Sequence, residues 1–266
     1  MTNQPFVLTA LKNNILTITL NRPSARNALS TEVMRNLLLA LDNAAKDDAT
    51  KVIVLAAQGT VFCAGHDLKE MTAHRADPDN GLSFYRELFA QCSHLMQTIV
   101  HHPVPVIAKV QGIATAAGCQ LVASCDLAVA AENVHFTTPG VNIGLFCSTP
   151  MVALSRNLGR KAAMEMLLTG EIVDADRAEA VGLVNRVVKP ENLDAVTMAL
   201  AELIASKPTA TLRLGKQAYY RQLELSLSSA YDYVGEVMVQ NMMHGEAVEG
   251  IGAFLEKRLP KWPEKQ

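Results

Sequence analysis

The sequence predicts an α/β fold with parallel strand pairing, followed by a C-terminal region built only of helices. Three observations predict it. Short apolar runs at 51–57, 104–110 and 126–130 read as buried strands and alternate with helical stripes, the spacing of strand–helix units. The first two runs each lead into a tight glycine-bearing turn and a helix start. From about Lys207 onward only helical patterns remain.

The elements follow in order. Residues 14–20 alternate, with Leu16, Ile18 and Leu20 on one face and Thr17 and Thr19 on the other, as in a half-buried strand. Asn21-Arg22-Pro23 ends it, because proline cannot donate to a ladder. Ser30 then stands as the N-cap of a helix whose Val33, Leu37, Leu38, Leu41 and Ala45 form one stripe. The run 51–57 is rich in β-branched residues and reads as a strand buried on both faces. Residues 72–81 are polar with a proline and are expected as a loop.

A helix over 84–100 carries Leu88, Cys92, Leu95 and Ile99 on one stripe and stops near Pro103. The strand 104–110, a helix over 116–123 and the strand 126–130 follow. After Pro150 helices dominate, interrupted by one strand at 183–188. Helices over 208–222, 226–243 and 246–257 close the chain. We therefore expect a core over 1–206 and a helical region over 207–266. Leu212, Leu214, Leu223, Leu225, Val234, Val237 and Met238 in the latter have little core of their own to cover, so docking on the core or on another subunit is expected.

The bulk properties exclude some function classes. With 266 residues, 49% hydrophobic, 19% charged and a net charge of -2, neither a nucleic-acid nor a membrane-surface partner is expected. The five cysteines form no C-x-x-C pair and suggest neither zinc ligation nor a disulfide framework, so a reducing compartment is the simplest expectation. The first ten residues show no basic segment with an apolar run, and no stretch reaches the roughly 18 apolar residues that span a bilayer. A soluble cytoplasmic protein is expected.

Two loops do not read as core. The first is Val61 to Met71, containing Ala64-Gly65-His66-Asp67-Leu68-Lys69; the second is Gln111 to Gln120, containing Ala116-Ala117-Gly118-Cys119. Helix starts carry unpaired N–H groups and partial positive charge, so two converging starts can hold an oxyanion such as the enolate oxygen of a thioester. Small residues can equally serve only to let helix and strand pack closely. Pattern alone leaves both readings open.

Asn21-Arg22-Pro23 with Asn27-Ala28-Leu29, the loop Ala64 to Met71, the stretch Gly112 to Asp126, Leu167-Thr169-Gly170, Ala180-Gly182-Leu183-Val184 and Phe254 to Arg258 occur in order over nearly the whole chain. Together they resemble the signature of the crotonase (enoyl-CoA hydratase/isomerase) superfamily. Gly65 to Lys69, Ala114 to Gln120 and Gly144 to Pro150 are similar to its subgroup called enoyl-CoA hydratase domain-containing protein 3. The resemblance implies a crotonase-type spiral of ββα turns with a C-terminal helical trimerisation region, giving a homotrimer or hexamer. It implies an acyl-CoA thioester as ligand, with no separate cofactor and no metal, since coenzyme A is part of the substrate. It places the oxyanion hole on the backbone N–H groups of His66 and Ala117. It also implies that Ala64, His66, Asp67, Leu68, Lys69 and Ala117 line the substrate, with Lys69 and Lys257, the latter from this or a neighbouring subunit, meeting phosphates. A solvated surface charge is the competing reading for each lysine.

The chain departs from the family where water would be activated. Family hydratases use two glutamates; their positions hold Gln120 and Gly140 here. Glutamine can orient water but cannot act as a base, and glycine has no side chain. Restoring both acids should raise hydration unless Gly140 is needed by the local backbone. Glu132 and Glu171 read as surface residues, and His135 as structural. Cys147 falls where other family members place an acid; it reads either as a nucleophile at a helix start or as a small buried hydrophobe. Three functions follow: an altered thioester enzyme, a non-catalytic acyl-CoA-binding or regulatory protein, and an acyl-CoA hydrolase working through Cys147.

Overall fold

The structure, a computed structural model, describes residues 4–262; the outermost residues of both expected units, 1–3 and 263–266, lie outside the described residues. Among the described residues there are ten strands: β1 Val7–Lys12, β2 Ile15–Leu20, β3 Val52–Ala57, β4 Val61–Cys63, β5 Val106–Val110, β6 Ile113–Thr115, β7 Leu127–Ala131, β8 His135–Thr137, β9 Val173–Asp174 and β10 Arg186–Val188. They form a six-stranded sheet in the order β1-β2-β3-β5-β7-β10 and a four-stranded sheet in the order β4-β6-β8-β9. Pairing within the larger sheet is parallel except for the antiparallel β1–β2 hairpin. β3, β5 and β7 of the first sheet are each followed by a short strand of the second, β4, β6 and β8, and then by helical turns. This is the expected spiral of ββα turns.

The helices are α1 Thr31–Lys46, α2 Leu68–Ala73, α3 Leu82–Val100, α4 Ala117–Ser124, α5 Ser148–Asn157, α6 Arg160–Thr169, α7 Ala175–Val181, α8 Leu193–Ala205, α9 Thr209–Gln222, α10 Leu227–Met242 and α11 Gly245–Leu255. Ser30 caps α1 as expected, accepting from Val33 N at 3.3 Å. The buried stripe of α1 runs through Val33, Met34, Leu37, Ala40, Leu41 and Ala44, so it turns slightly away from Leu38 and Ala45. β3 is buried along its first five residues, as its composition demanded. Among the described residues no helix is long and apolar enough to cross a membrane.

The stretch 72–81 is more ordered than a bare loop. α2 and a 3-10 turn occupy its first half. His74 bonds Asp77 at 2.7 Å and stacks on Phe84 with centroids 3.6 Å apart, while Tyr85 donates to Met71 O. Aromatic residues of α3, distant by several turns of chain, hold this segment.

The C-terminal helices dock on the core through one buried ion pair. Lys216 of α9 donates to Asp126 Oδ2 at 2.6 Å and to the carbonyls of Ile99 and Val104, and Tyr220 donates to Asp126 Oδ1 at 2.8 Å. Val106 N also donates to Asp126, which ties this carboxylate to the start of β5. Large apolar side chains on the outer faces stay exposed, among them Leu227, Met238, Val239, Met243 and Phe254.

Candidate functional site

The site is built where the first loop meets the second. Gly118, in the first turn of α4, is packed so tightly that an added Cβ would lie 2.1 Å from Cys63 O. Gly65 has φ +84°, and a Cβ there would meet Ala116 and Thr115 O at 3.0 Å and Ala117 N at 3.2 Å. Only glycine tolerates both the left-handed backbone and the contact. The two loops therefore touch at Gly65 and Ala117, and the close-packing role of the small residues holds here.

The N–H directions follow from local pairing. Leu29 and His66 form a parallel bridge in which Leu29 N donates to Gly65 O at 2.7 Å and Asp67 N donates to Leu29 O at 3.3 Å. The central residue of such a bridge turns its own N–H to the other side, away from Leu29. Ala117 is the first residue of α4, so its N–H belongs to the unpaired set at a helix start. The turn before it is strained: Ala116 has φ 50° and ψ -117°, and its N–H is held by Thr137 O at 2.9 Å. That turn sets the α4 start beside Gly65.

A frame of polar side chains fixes the first loop. Asp67 caps α2, accepting from Lys69 N and Glu70 N, and pairs with Arg22 at 2.6 Å. Burial would raise the Asp67 carboxyl, but Arg22 and the two amides hold it below its usual 3.8. Its side chain is thus engaged in capping α2 and pairing with Arg22. Glu70 accepts from Thr31 N and Oγ1 at 3.0 and 2.6 Å, and Asn27 bonds Arg22 N, Gln58 O and Val61 O. The Asn21–Leu29 and Ala64–Met71 segments are one brace.

Of the other expected residues, Ala64 is half-buried beside the bridge, and Leu68 and Lys69 are exposed at the start of α2. Lys257 is exposed just past α11, and among the described residues no hydrogen bond or ion pair joins it to either loop. Gln120 is buried in α4 and accepts a long 3.9 Å bond from Cys92 of α3. Gly140 is also buried; a Cβ there would lie 2.5 Å from Leu145 O and 2.9 Å from Cys147 Sγ. Burial pushes the Cys147 thiol up, against the opposing effect of the Gly140 backbone. That direction is opposite to the one a nucleophile needs. Glu132, Glu171 and His135 are exposed.

The His66 ring lies edge-to-face with Phe89 of α3, centroids 5.5 Å apart at 83°. Sequence reasoning missed Phe89 and Cys92 as wall residues. One signal was available: Phe89 is a large aromatic lying off the buried stripe of α3 and 37% exposed.

Residues 10–265 match the family model for enoyl-CoA hydratase/isomerase. The chain belongs to the enoyl-CoA hydratase/isomerase family. It is 46% identical over 254 residues to mouse enoyl-CoA hydratase domain-containing protein 3, mitochondrial, covering 96% of this chain and 83% of that protein. A crystal structure of an enoyl-CoA hydratase from Mycobacterium smegmatis superposes with a TM-score of 0.93 at 53% identity, covering 97% and 99% of the two chains. The human enoyl-CoA hydratase domain-containing protein 3 structure gives 0.92 at 45% identity, covering 97% and 100%. The family member described here is thus related to that subgroup, as its loops suggested. The same relatives correct the cytoplasmic expectation: the mouse, rat, frog and human proteins are named as mitochondrial. Composition and thiol count do not separate one reducing compartment from another.

Proposed function

We propose that this family member binds an acyl-CoA thioester with its carbonyl oxygen on the N–H groups of His66 and Ala117, and acts on it as an altered enzyme rather than as a competent hydratase. The observation that carries this reading is the contact of Gly65 with Ala117 N, which sets an unpaired helix-start donor beside a bridge residue whose N–H turns away from its partner. Two such donors stabilise charge as it develops on an enolate oxygen, each typically worth about 3 kcal/mol. Lys69 at the rim and Lys257 of a neighbouring subunit are the groups we assign to the phosphates.

A non-catalytic acyl-CoA clamp is the second reading. It is favoured by Gln120 and Gly140 standing where acids would act. Hydrolysis through Cys147 is the weakest, because burial raises its thiol. We also read the protein as a homotrimer or hexamer, supported by the exposed apolar faces of α9 to α11.

The test is to identify by mass spectrometry the acyl-CoAs that co-purify, then to titrate and turn over those thioesters. Binding with turnover supports the enzyme, and binding without turnover supports the clamp. No binding of coenzyme A thioesters at millimolar concentration sinks both.

A further inference from the structure

A cleft of about 500 Å³ lies apart from the two loops, between the end of α3 and the outer half of α9. The end of α3 supplies Val100 and His101, and α9 with the turn after it supplies Lys216, Tyr220, Arg221 and Leu225. β5 starts just beyond this end of α3 and runs five residues, about 16 Å, before the second loop begins. The cleft is therefore a separate place in the fold.

The charges behind it are already spent. Lys216, its side chain 8% exposed, donates to Asp126, Ile99 O and Val104 O, and Tyr220 donates to the same carboxylate. Glu224, also at the cleft, meets Arg156 at 3.4 Å. The carbonyl ends of α3 and α9 would oppose an anion here, but they are occupied as well. Ile99 O accepts from His102 N and Lys216, while Arg221 O and Gln222 O accept from Glu224 N and Leu225 N.

Arg221 is what remains. Its guanidinium lies over the Tyr233 ring, 5.0 Å from the centroid, a contact that holds the plane and uses none of its N–H donors. Among the described residues no hydrogen bond or ion pair reaches it. The same holds for the side chains of Gln217, one turn earlier on the same face of α9, and of His101 across the cleft. A guanidinium held flat presents two parallel donors to a carboxylate. Val100, Leu225 and the Tyr220 ring add apolar surface beside it, which suits a hydrocarbon body and does nothing for an inorganic anion.

We propose that this cleft is a ligand site for a small organic carboxylate. Arg221 takes the carboxylate, Gln217 and His101 donate beside it, and Val100 and Leu225 receive the hydrocarbon chain. Because α3 belongs to the core and α9 to the C-terminal helices, the bound molecule ties the two together as a second fastening beside Lys216 and Asp126. This site does not depend on whether the two loops bind a thioester.

Octanoate and inorganic phosphate are the probes, titrated calorimetrically into the purified full-length protein as wild type, Arg221→Met, Arg221→Lys and Gln217→Leu. Octanoate should bind the wild type roughly tenfold tighter than phosphate does. Arg221→Met should weaken octanoate by roughly tenfold, and Arg221→Lys and Gln217→Leu by less. The ligand-free melting temperature should barely move, because both residues are exposed. Bound octanoate should also slow proteolysis after residue 206, just past the end of α8. Saturating butyryl-CoA should leave octanoate affinity unchanged; displacement would put octanoate at the two loops and overturn the site. No binding at about 10 mM octanoate, equal affinity for phosphate, affinity unchanged across the folded variants, or unslowed proteolysis would each overturn it too. If Arg221→Met does not fold, Arg221→Lys and Gln217→Leu decide the matter.

Discussion

Cys147 Sγ stands 2.9 Å from the point where a Cβ on Gly140 would lie, and Leu145 O stands 2.5 Å from it. The space into which a second acid would project is occupied by the residues that follow it. The turn leading into α5 has closed over the Gly140 position. Restoring the acid pair by substitution, which the sequence suggested as a repair, is blocked by backbone atoms that cannot give way.

Gly140→Ala should accordingly destabilise the protein by about 1–3 kcal/mol, the range for overpacking a tight site, and Gly140→Glu by more. Urea denaturation of each variant measures this. Gly140→Ala with wild-type stability would show that the turn yields freely.

Hydration of crotonyl-CoA and longer 2-enoyl-CoAs should run well below the ordinary enzymic range of about 1 to 10³ s⁻¹. Acid–base groups contribute about 10²- to 10⁴-fold each, and neither Gln120 nor Gly140 supplies one. Cys147→Ala should leave the residual rate unchanged, because burial holds its thiol protonated. Initial rates with both proteins decide the matter; a wild-type kcat within the ordinary range would contradict it.

Asp126→Asn should cost about 3–5 kcal/mol, since it strands the Lys216 ammonium, only 8% exposed, without its counter-charge. Tyr220→Phe removes one bond to the same carboxylate and should cost less, about 1.5–3 kcal/mol. Chemical denaturation gives both values. A further readout is the docking of α9: limited proteolysis should cut after residue 206 faster in Asp126→Asn than in the parent.

Stability should also fall as the medium is acidified below neutrality. Burial lowers both His66 and His102 beneath their usual 6.5. The unfolded chain then binds more protons than the folded one, so this contribution is present above pH 6.5 and is lost as pH falls toward the folded values. Each ring can account for at most about 1.4 kcal/mol per pH unit in that window. Urea midpoints at pH 7.5 and about 5.5 should differ in wild type and differ less in His66→Phe. An equal pH dependence in the two would remove His66 from the account.

The sequence by itself determined the long elements, the order of the family segments and the lack of an acid at residues 120 and 140. These are local facts. β-Branched runs bury as central strands, Ser30 caps α1 whatever surrounds it, and a glutamine cannot act as a base anywhere. The strands β4, β6, β8 and β9 were not legible, because two or three residues carry no periodicity and their pairing partners lie tens of residues away. Nor were the roles of Asp67, Phe89 and Gly140. That the Asp67 carboxylate pairs with Arg22, 45 positions earlier, appears only in the fold. Phe89 is only an off-stripe aromatic until His66 meets its edge, and Gly140 only a missing acid until Cys147 fills its space. Tertiary structure decided these because each depends on which distant backbone arrives at the same point. Distances across a fold of crossing ββα turns are not written in any local pattern.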